Sequence, residues 1–381
     1  MDGSGGTQSR STTSAPETTT RAKEQYDVQQ RQKAAIASVV VTLVTVALIY
    51  IGSQGLETFD SALIGYAVAT LFAIAALAYR YTLWLGRPPT GRYFRAGWRE
   101  FLSWSNFRKY TLLIPRAWWT DIFGQTFIRK RSTTRWIMHL AIFWGVLLSL
   151  AVTVPLTFGW IRFTLVEPDH YKAWFFGIPI VTFPIEAGTG FAIFHILDFT
   201  SVLLIAGLTI ALWRRITDAG LLATQRFNFD LMPLVLLFAI AITGLALTAS
   251  YDWWEGRFYW FLSLTHQVVV VLWLISLPFG KFFHIIQRPA SIGVTLYQQV
   301  NQDIEHYGAS ASTHVPTGTC ARCGQPFPSA QFVTDLKGVL NDLGQDYTLG
   351  ADQGVLQDYC PTCKRVIRGQ SYYAVLGKRF V

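Results

Sequence analysis

The chain has 381 residues and is 51% apolar and 15% aromatic, with only 14% charged residues, where soluble domains carry about 25%. That deficit excludes an ordinary soluble domain and places the chain in the membrane class. The formal charge of +9 gathers in one loop between apolar runs, as topogenic charge does, and does not form a nucleic-acid surface.

Met1 to about Gln30 is rich in Ser, Thr, Gly and Gln without apolar periodicity, so residues 1–33 read as a disordered N-terminal tail. The stretch to Lys33 is too polar for a secretory signal. Apolar runs follow at roughly 34–51, 61–86, 136–158, 190–213, 231–250 and 258–286. Each approaches the ~20 residues a helix needs to cross the hydrocarbon. Backbone groups in lipid must bond internally, so six transmembrane helices are predicted. The expected fold is an all-α integral membrane protein with a four-helix core over 136–286, preceded by two helices over 34–86.

Charge sets the expected orientation. Between Arg80 and Arg135 there are 12 Lys/Arg against Glu100 and Asp121. The loops after the first, third and fifth runs hold Arg162, Lys172 and Arg257 against seven acids. The positive-inside rule makes the 87–135 loop and both termini cytoplasmic, in a multi-pass cell-membrane protein. Within that loop, Arg92 to Ile128 mixes arginine with Trp98, Trp104, Trp118 and Trp119. That composition suits interfacial helices on the headgroups and equally a docking platform for a cytoplasmic partner. The apolar segment from Ile161 to Gly190 is expected to fold back as a cap over the opposite end.

Four histidines fall within or at the ends of the runs: His139, His195, His266 and His284. Ionisable residues at such depth are costly and commonly functional. His266 and His284 are 18 residues apart, five helical turns, so they leave one helix face about 27 Å apart along the axis. Chain direction puts His139 level with His284 at the cytoplasmic end and His195 level with His266 at the other. Two cross-helix pairs at two depths satisfy bis-histidine ligation of two b-type haems. Structural histidines and a non-haem metal are the competing readings. Asp198 lies one turn beyond His195, placed to accept a quinol proton, to orient the imidazole or to bond nearby hydroxyls. Arg129, Lys130, Arg131, Arg135, Arg214 and Arg215 border the inner level, either as propionate partners or as topogenic charge.

The runs Asp230–Leu231–Met232–Pro233–Leu234 and Ile242–Thr243–Gly244–Leu245, then His266 and Pro278–Phe279–Gly280–Lys281–Phe282–Phe283–His284, resemble a known pattern. So do Arg135–Trp136–Ile137–Met138–His139 and Phe143–Trp144–Gly145. Together they are similar to the gamma subunit of respiratory nitrate reductase and its relatives, the membrane cytochromes of heterodisulfide-reductase-like and sulfite-reduction-associated complexes. The resemblance covers roughly residues 120–290. It implies a membrane-anchoring cytochrome b that exchanges electrons between quinone and cytoplasmic iron–sulfur and catalytic subunits of a larger oxidoreductase. It also implies haem ligation from the last helix. One position departs: where the nitrate reductase subunit has a second histidine on its first ligand helix, this chain has Ser149, so His195 becomes the candidate ligand.

The last 95 residues, 287–381, read as a soluble cytoplasmic tail. Cys320-x-x-Cys323 and Cys360-x-x-Cys363 are the paired knuckles of a tetrathiolate metal site. Zinc in a structural ribbon is expected, with rubredoxin-like iron as the competitor. The alternative reading of the whole chain is a haem-free scaffold or transporter-like protein whose ribbon recruits a partner.

Overall fold

The computed structural model describes residues 15–87, 90–102, 104, 107–108, 111–186, 188–218, 225–290, 317–345, 347–349 and 354–376. Six helical segments are long and apolar enough to cross a membrane: Gln25–Gly52, Ser61–Gly86, Thr133–Thr157, Ile196–Thr217, Phe227–Asp252 and Tyr259–Ser276. They coincide with the six predicted runs, and the chain is a multi-pass membrane protein.

Helix α1 (Ala15–Gly52) begins well before its apolar run, so residues 15–33 are helical where a disordered tail is expected. The reason is propagation. Once the apolar span forms a helix, adding residues such as Glu24, Gln25 and Gln29 costs no new nucleation. Buried Ala34 and a Tyr26 hydroxyl bond to the Gly86 carbonyl hold this extension on the end of α2 (Ile64–Gly86). Residues 1–14 of the expected tail lie outside the described residues.

The basic loop contains α3 (Thr90–Leu102), α4 (Leu113–Ala117), a π-turn at Trp118–Phe123 and α5 (Thr126–Arg129). Then come α6 (Thr133–Thr157), α7 (Gly188–Phe194), α8 (Ile196–Thr217), α9 (Met232–Asp252) and α10 (Tyr259–Ser276). The long helices pack side by side in the order α1, α2, α10, α9, α8, α6. Leu204 and Leu208 of α8, Leu237 and Ala241 of α9 and Trp273 and Leu274 of α10 form the buried centre.

Lipid is as apolar as leucine, so helices in a bilayer associate through close packing at small residues. Glycines bring α6 and α8 together. A Cβ at Gly145 would meet Leu204 Cβ at 2.8 Å, and one at Gly207 would meet the Ile142 amide at 2.9 Å.

Two expectations change. The sixth run is not one helix over 258–286. Helix α10 ends at Ser276, and the chain turns through Leu277–Gly280 into a 3-10 turn at Lys281–Phe283 and a helical stretch over 284–290. Pro278 supplies no N–H and Gly280 relaxes the backbone, so the helix breaks there. The five-turn count from His266 to His284 therefore crosses a break.

The all-α expectation also gives way. The segment over 161–184 is an antiparallel meander of β1 (Ile161–Glu167), β2 (His170–Phe175) and β3 (Ile178–Pro184). Both residues of the β2–β3 turn, Phe176 and Gly177, have positive φ (49° and 78°), the geometry that matches strand twist in two-residue hairpins. Phe163, Tyr171 and Phe183 surround Phe194 with centroids 5.2–6.1 Å away. The sheet thus covers the helix end that leads into His195, as the expected cap would.

The close approach of α6 and α8 yields a prediction. Gly207→Val should destabilise the protein by about 1–3 kcal/mol, the usual cost of overpacking, as a lowered unfolding midpoint in detergent. Gly188→Ala, whose added Cβ meets nothing within 4 Å, should leave the midpoint unchanged.

Candidate functional site

The bundle has a basic end, where the 87–135 loop attaches, and a sheet end. At the basic end Ser132 caps α6, its hydroxyl accepting from the Arg135 amide at 3.4 Å. This starts the helix so that His139 lies in its second turn. Opposite, the break after α10 brings His284 inward. Arg80 of α2 holds that break: its guanidinium donates to the Pro278 carbonyl and lies 4.3 Å from the Phe283 ring centroid. The Pro278 carbonyl, left without a helical partner by the break, is thereby satisfied. The His139 and His284 rings face each other with centroids 6.5 Å apart and planes at 66°.

These two histidines line a cavity of about 350 Å³. Its walls include Met138, Ile142, Leu234, Leu237 and Phe282. Arg135, Arg214, Arg215, Lys281 and Asp230 supply its polar lining. Asp230 bonds Lys281 at 2.6 Å and lies 3.9 Å from Arg215, so one anion is set among four cations. Of the other basic residues expected at this level, Arg129 lies over Trp136, 5.2 Å from its ring.

Hydrogen bonds assign the imidazole tautomers. His284 Nδ1 is 2.5 Å from the Lys281 carbonyl and His139 Nδ1 is 2.6 Å from Gln125 Oε1. His195 Nδ1 is 2.8 Å from Asp198 Oδ2, and His266 Nδ1 is 2.8 Å from Thr243 Oγ1. Carbonyl, amide and carboxylate oxygens can only accept, so the first three Nδ1 atoms carry hydrogen. Thr243 gives its one hydroxyl hydrogen to the Ala239 carbonyl at 2.7 Å, so it too accepts from His266. All four rings therefore present Nε2 as a lone pair, the state a metal-ligating histidine requires.

At the sheet end His195 sits at the junction of α7 and α8, at the N-cap of α8. Asp198 bridges it to α9: one carboxylate oxygen takes the His195 N–H, and the other accepts from Thr248 at 2.8 Å. His266 reaches the same helix at Thr243, five residues away, about 7.5 Å along the axis. Gly244 leaves the His266 ring room, since a Cβ there would touch its Cε1 at 3.5 Å. Ser149 bonds Thr200 at 2.8 Å and so joins α6 to α8.

Gln125, Thr243 and Thr248 were not singled out from sequence. Gln125 is nearly buried (4% exposed), with a left-handed backbone (φ 48°, ψ 40°) uncommon for a residue with a side chain. Nothing in its local sequence announces this. Thr243 lies in the Ile242–Gly244 run quoted above, but its bond to His266 comes from a neighbouring helix.

The four cysteines converge. β4 (Thr317–Thr319) and β5 (Pro326–Ser329) form a hairpin whose loop carries Cys320 and Cys323, and Gly324 turns it at φ 66°. α11 (Ala330–Asp342) follows, and α12 (Pro361–Leu376) begins immediately after Cys360. The module is therefore not a ribbon of two strand knuckles, because its second cysteine pair sits at a helix N-terminus, where the helix dipole favours thiolate. All four sulfurs lie within 4.8 Å of one another, and Cys323 and Cys360 are 3.8 Å apart. Sulfurs at about 2.3 Å from a tetrahedral metal are themselves roughly 3.8 Å apart, so the set fits one ion. Burial opposes ionisation of Cys320, but amides of Cys360, Cys323 and Arg322, with the Cys323 thiol, outweigh it and bring its pKa down to about 6.

No known protein family, curated protein or solved structure compared with the chain matches it.

The cysteine geometry leads to a prediction. Purified full-length protein should contain one thiolate-bound metal per chain by elemental analysis, and Cys360→Ser should lower that content at least tenfold. Unchanged metal in the variant would exclude this site.

Proposed function

We propose that the chain is a membrane-anchoring dihaem cytochrome b subunit, which moves electrons between the quinone pool and a cytoplasmic iron–sulfur partner. One observation carries the reading: the His139–His284 pair across a cavity at the basic end. Two imidazoles sharing one metal through bonds of about 2.0–2.1 Å would have ring centroids roughly 6 Å apart, close to the 6.5 Å between His139 and His284. A b-type haem held there supplies one-electron transfer.

The chain's own groups have distinct tasks. His139 and His284 offer Nε2 from opposite walls, while Gln125 and the Lys281 carbonyl fix the planes of their rings. Arg135, Arg214, Arg215 and Lys281 offset carboxylate charge at the cavity mouth, as haem propionates require. His195 and His266 are the second ligand pair, held by Asp198 and Thr243. In the cysteine module zinc is the favoured ion and stabilises the fold, with iron as the competitor. The positive-inside distribution puts the basic end, both termini and the module on the cytoplasmic side. The sequence resemblance to the nitrate reductase gamma subunit and its relatives supports the same assignment. The partner subunits and their catalytic centres are then cytoplasmic.

Quinone exchange is assigned to the sheet end, beside Asp198. That carboxylate already bonds His195 and Thr248, so it orients the imidazole, and it is the base offered to a quinol proton.

Reduced-minus-oxidised spectra should contain b-type α bands, with two haems per chain by pyridine haemochrome. His139→Ala and His284→Ala should remove the same spectral component and His266→Ala the other. Protein without haem would favour a haem-free scaffold that recruits a partner through its metal module. A single haem, lost only in the first two variants, would take His195 and His266 out of the ligand set.

Asp198→Asn should keep both haems, shift the midpoint potential of one component and slow quinol-dependent haem reduction about tenfold or more. Wild-type potentials and quinol rates would mark Asp198 as structural and move the quinone site to the basic-end cavity.

A further inference from the structure

Helix α3 opens four residues beyond the end of α2 at Gly86, which places it at the edge of the membrane-spanning bundle. Trp98 and Leu102 are exposed on it, at 49% and 68%, the apolar anchors of an interfacial helix. Its cations border these anchors, since Arg95 and Arg99 each precede one of them by three residues. Arg92, Arg95 and Arg99 recur at spacings of three and four, and such positions are neighbours on a helix surface.

This cationic side faces the cysteine module. A cleft of about 380 Å³ is lined by Arg92, Arg95, Ala96, Arg99 and Asp335 of α11. Arg92 is tied to Asp342 at 2.7 Å, and its guanidinium lies over Gly338, where a Cβ would strike it. That contact fixes one wall. Asp335 is nearly buried, and its charge acts on Arg92 and Tyr93. Arg95 and Arg99 are exposed. Arg95 donates from Nε to the Gly91 carbonyl at 3.0 Å, which orients the guanidinium and leaves its terminal nitrogens to a ligand. Among the described residues three guanidiniums therefore meet two carboxylates, Asp342 on Arg92 and Asp335 in the lining, around a cleft large enough for a headgroup.

We propose that this cleft binds a phosphate group, with Arg95 and Arg99 as the principal donors and Arg92 as the fixed wall. Guanidinium forks match phosphate oxygens in pairs, and the charge assists each bond. Two sources offer the same chemistry. A phospholipid headgroup is favoured by the place of α3 at the bundle edge, and a free phosphate is the other.

The test uses delipidated full-length protein in neutral detergent, titrated calorimetrically. The probes are short-chain phosphatidylglycerol, phosphatidylcholine of equal chain length and inorganic phosphate. Phosphatidylglycerol should bind saturably and lose affinity as salt rises. Binding should weaken at least tenfold in the Arg95→Gln/Arg99→Gln double variant. Both side chains are exposed, so this variant should still fold, and its unfolding midpoint is measured beside the binding. The Arg95→Lys/Arg99→Lys variant, which keeps charge and loses the fork, should fall between the two. Tighter binding of phosphatidylglycerol than of inorganic phosphate assigns the site to lipid, and the reverse order assigns it to a free phosphate. The proposal is overturned if neither anion binds, if the glutamine variant binds as wild type does, or if phosphatidylcholine binds equally well.

Discussion

An imidazole at membrane depth must give its N–H to an acceptor inside the protein, because lipid offers none and an unbonded polar group there costs several kcal/mol. The four histidines meet this requirement in four different ways: a side-chain amide, a carboxylate, a hydroxyl and a backbone carbonyl. Each bond also fixes which ring nitrogen remains a lone pair. The solution to a solvation problem thus leaves Nε2 of each of the four rings as its lone pair.

The acceptors come from places that constrain the fold. Gln125 takes a left-handed backbone to reach His139, and such strain persists only where surrounding structure over-determines it. Here the neighbouring Trp136 indole donates to the Gly124 carbonyl at 2.7 Å and pins the same corner. The Lys281 carbonyl reaches His284 only because the last span breaks at Pro278, and Arg80 closes the hydrogen-bonding gap left there. At the sheet end Asp198 and Thr243 bring both imidazoles to α9. Close packing of α6 on α8 through Gly145 and Gly207 sets the spacing within which these bonds form.

The basic end is also where the membrane bundle meets the cysteine module. Arg92 and Asp342 join α3 to α11, so the interfacial helix, the histidine cavity and the metal-binding module occupy one end of the molecule. A partner that exchanged electrons with the basic-end histidines would approach the surface that presents the module.

Much of this was legible in the sequence. Six apolar runs of bilayer length admit only helices, since backbone groups in lipid must bond within their own segment. Two Cys-x-x-Cys pairs announce a tetrathiolate set through short-range spacing alone. The strands over 161–184 left a partial signal, with β-branched and aromatic residues in three stretches separated by a Pro168–Asp169 turn and a Phe176–Gly177 turn. An apolar surface segment outside a span was nonetheless read only as a cap. Sequence also placed His139 level with His284 and set Asp198 one turn from His195. It could not supply the acceptors, because Gln125 lies 14 residues before His139, Thr248 lies 50 beyond Asp198 and Thr243 lies on the helix before His266. The sequence by itself determined the helices, their order and the pairing of the cysteines, all local consequences of hydrophobicity and spacing. Only the tertiary structure decided which oxygen each imidazole meets and how far apart the rings stand, because those depend on helix packing and on where the last span breaks.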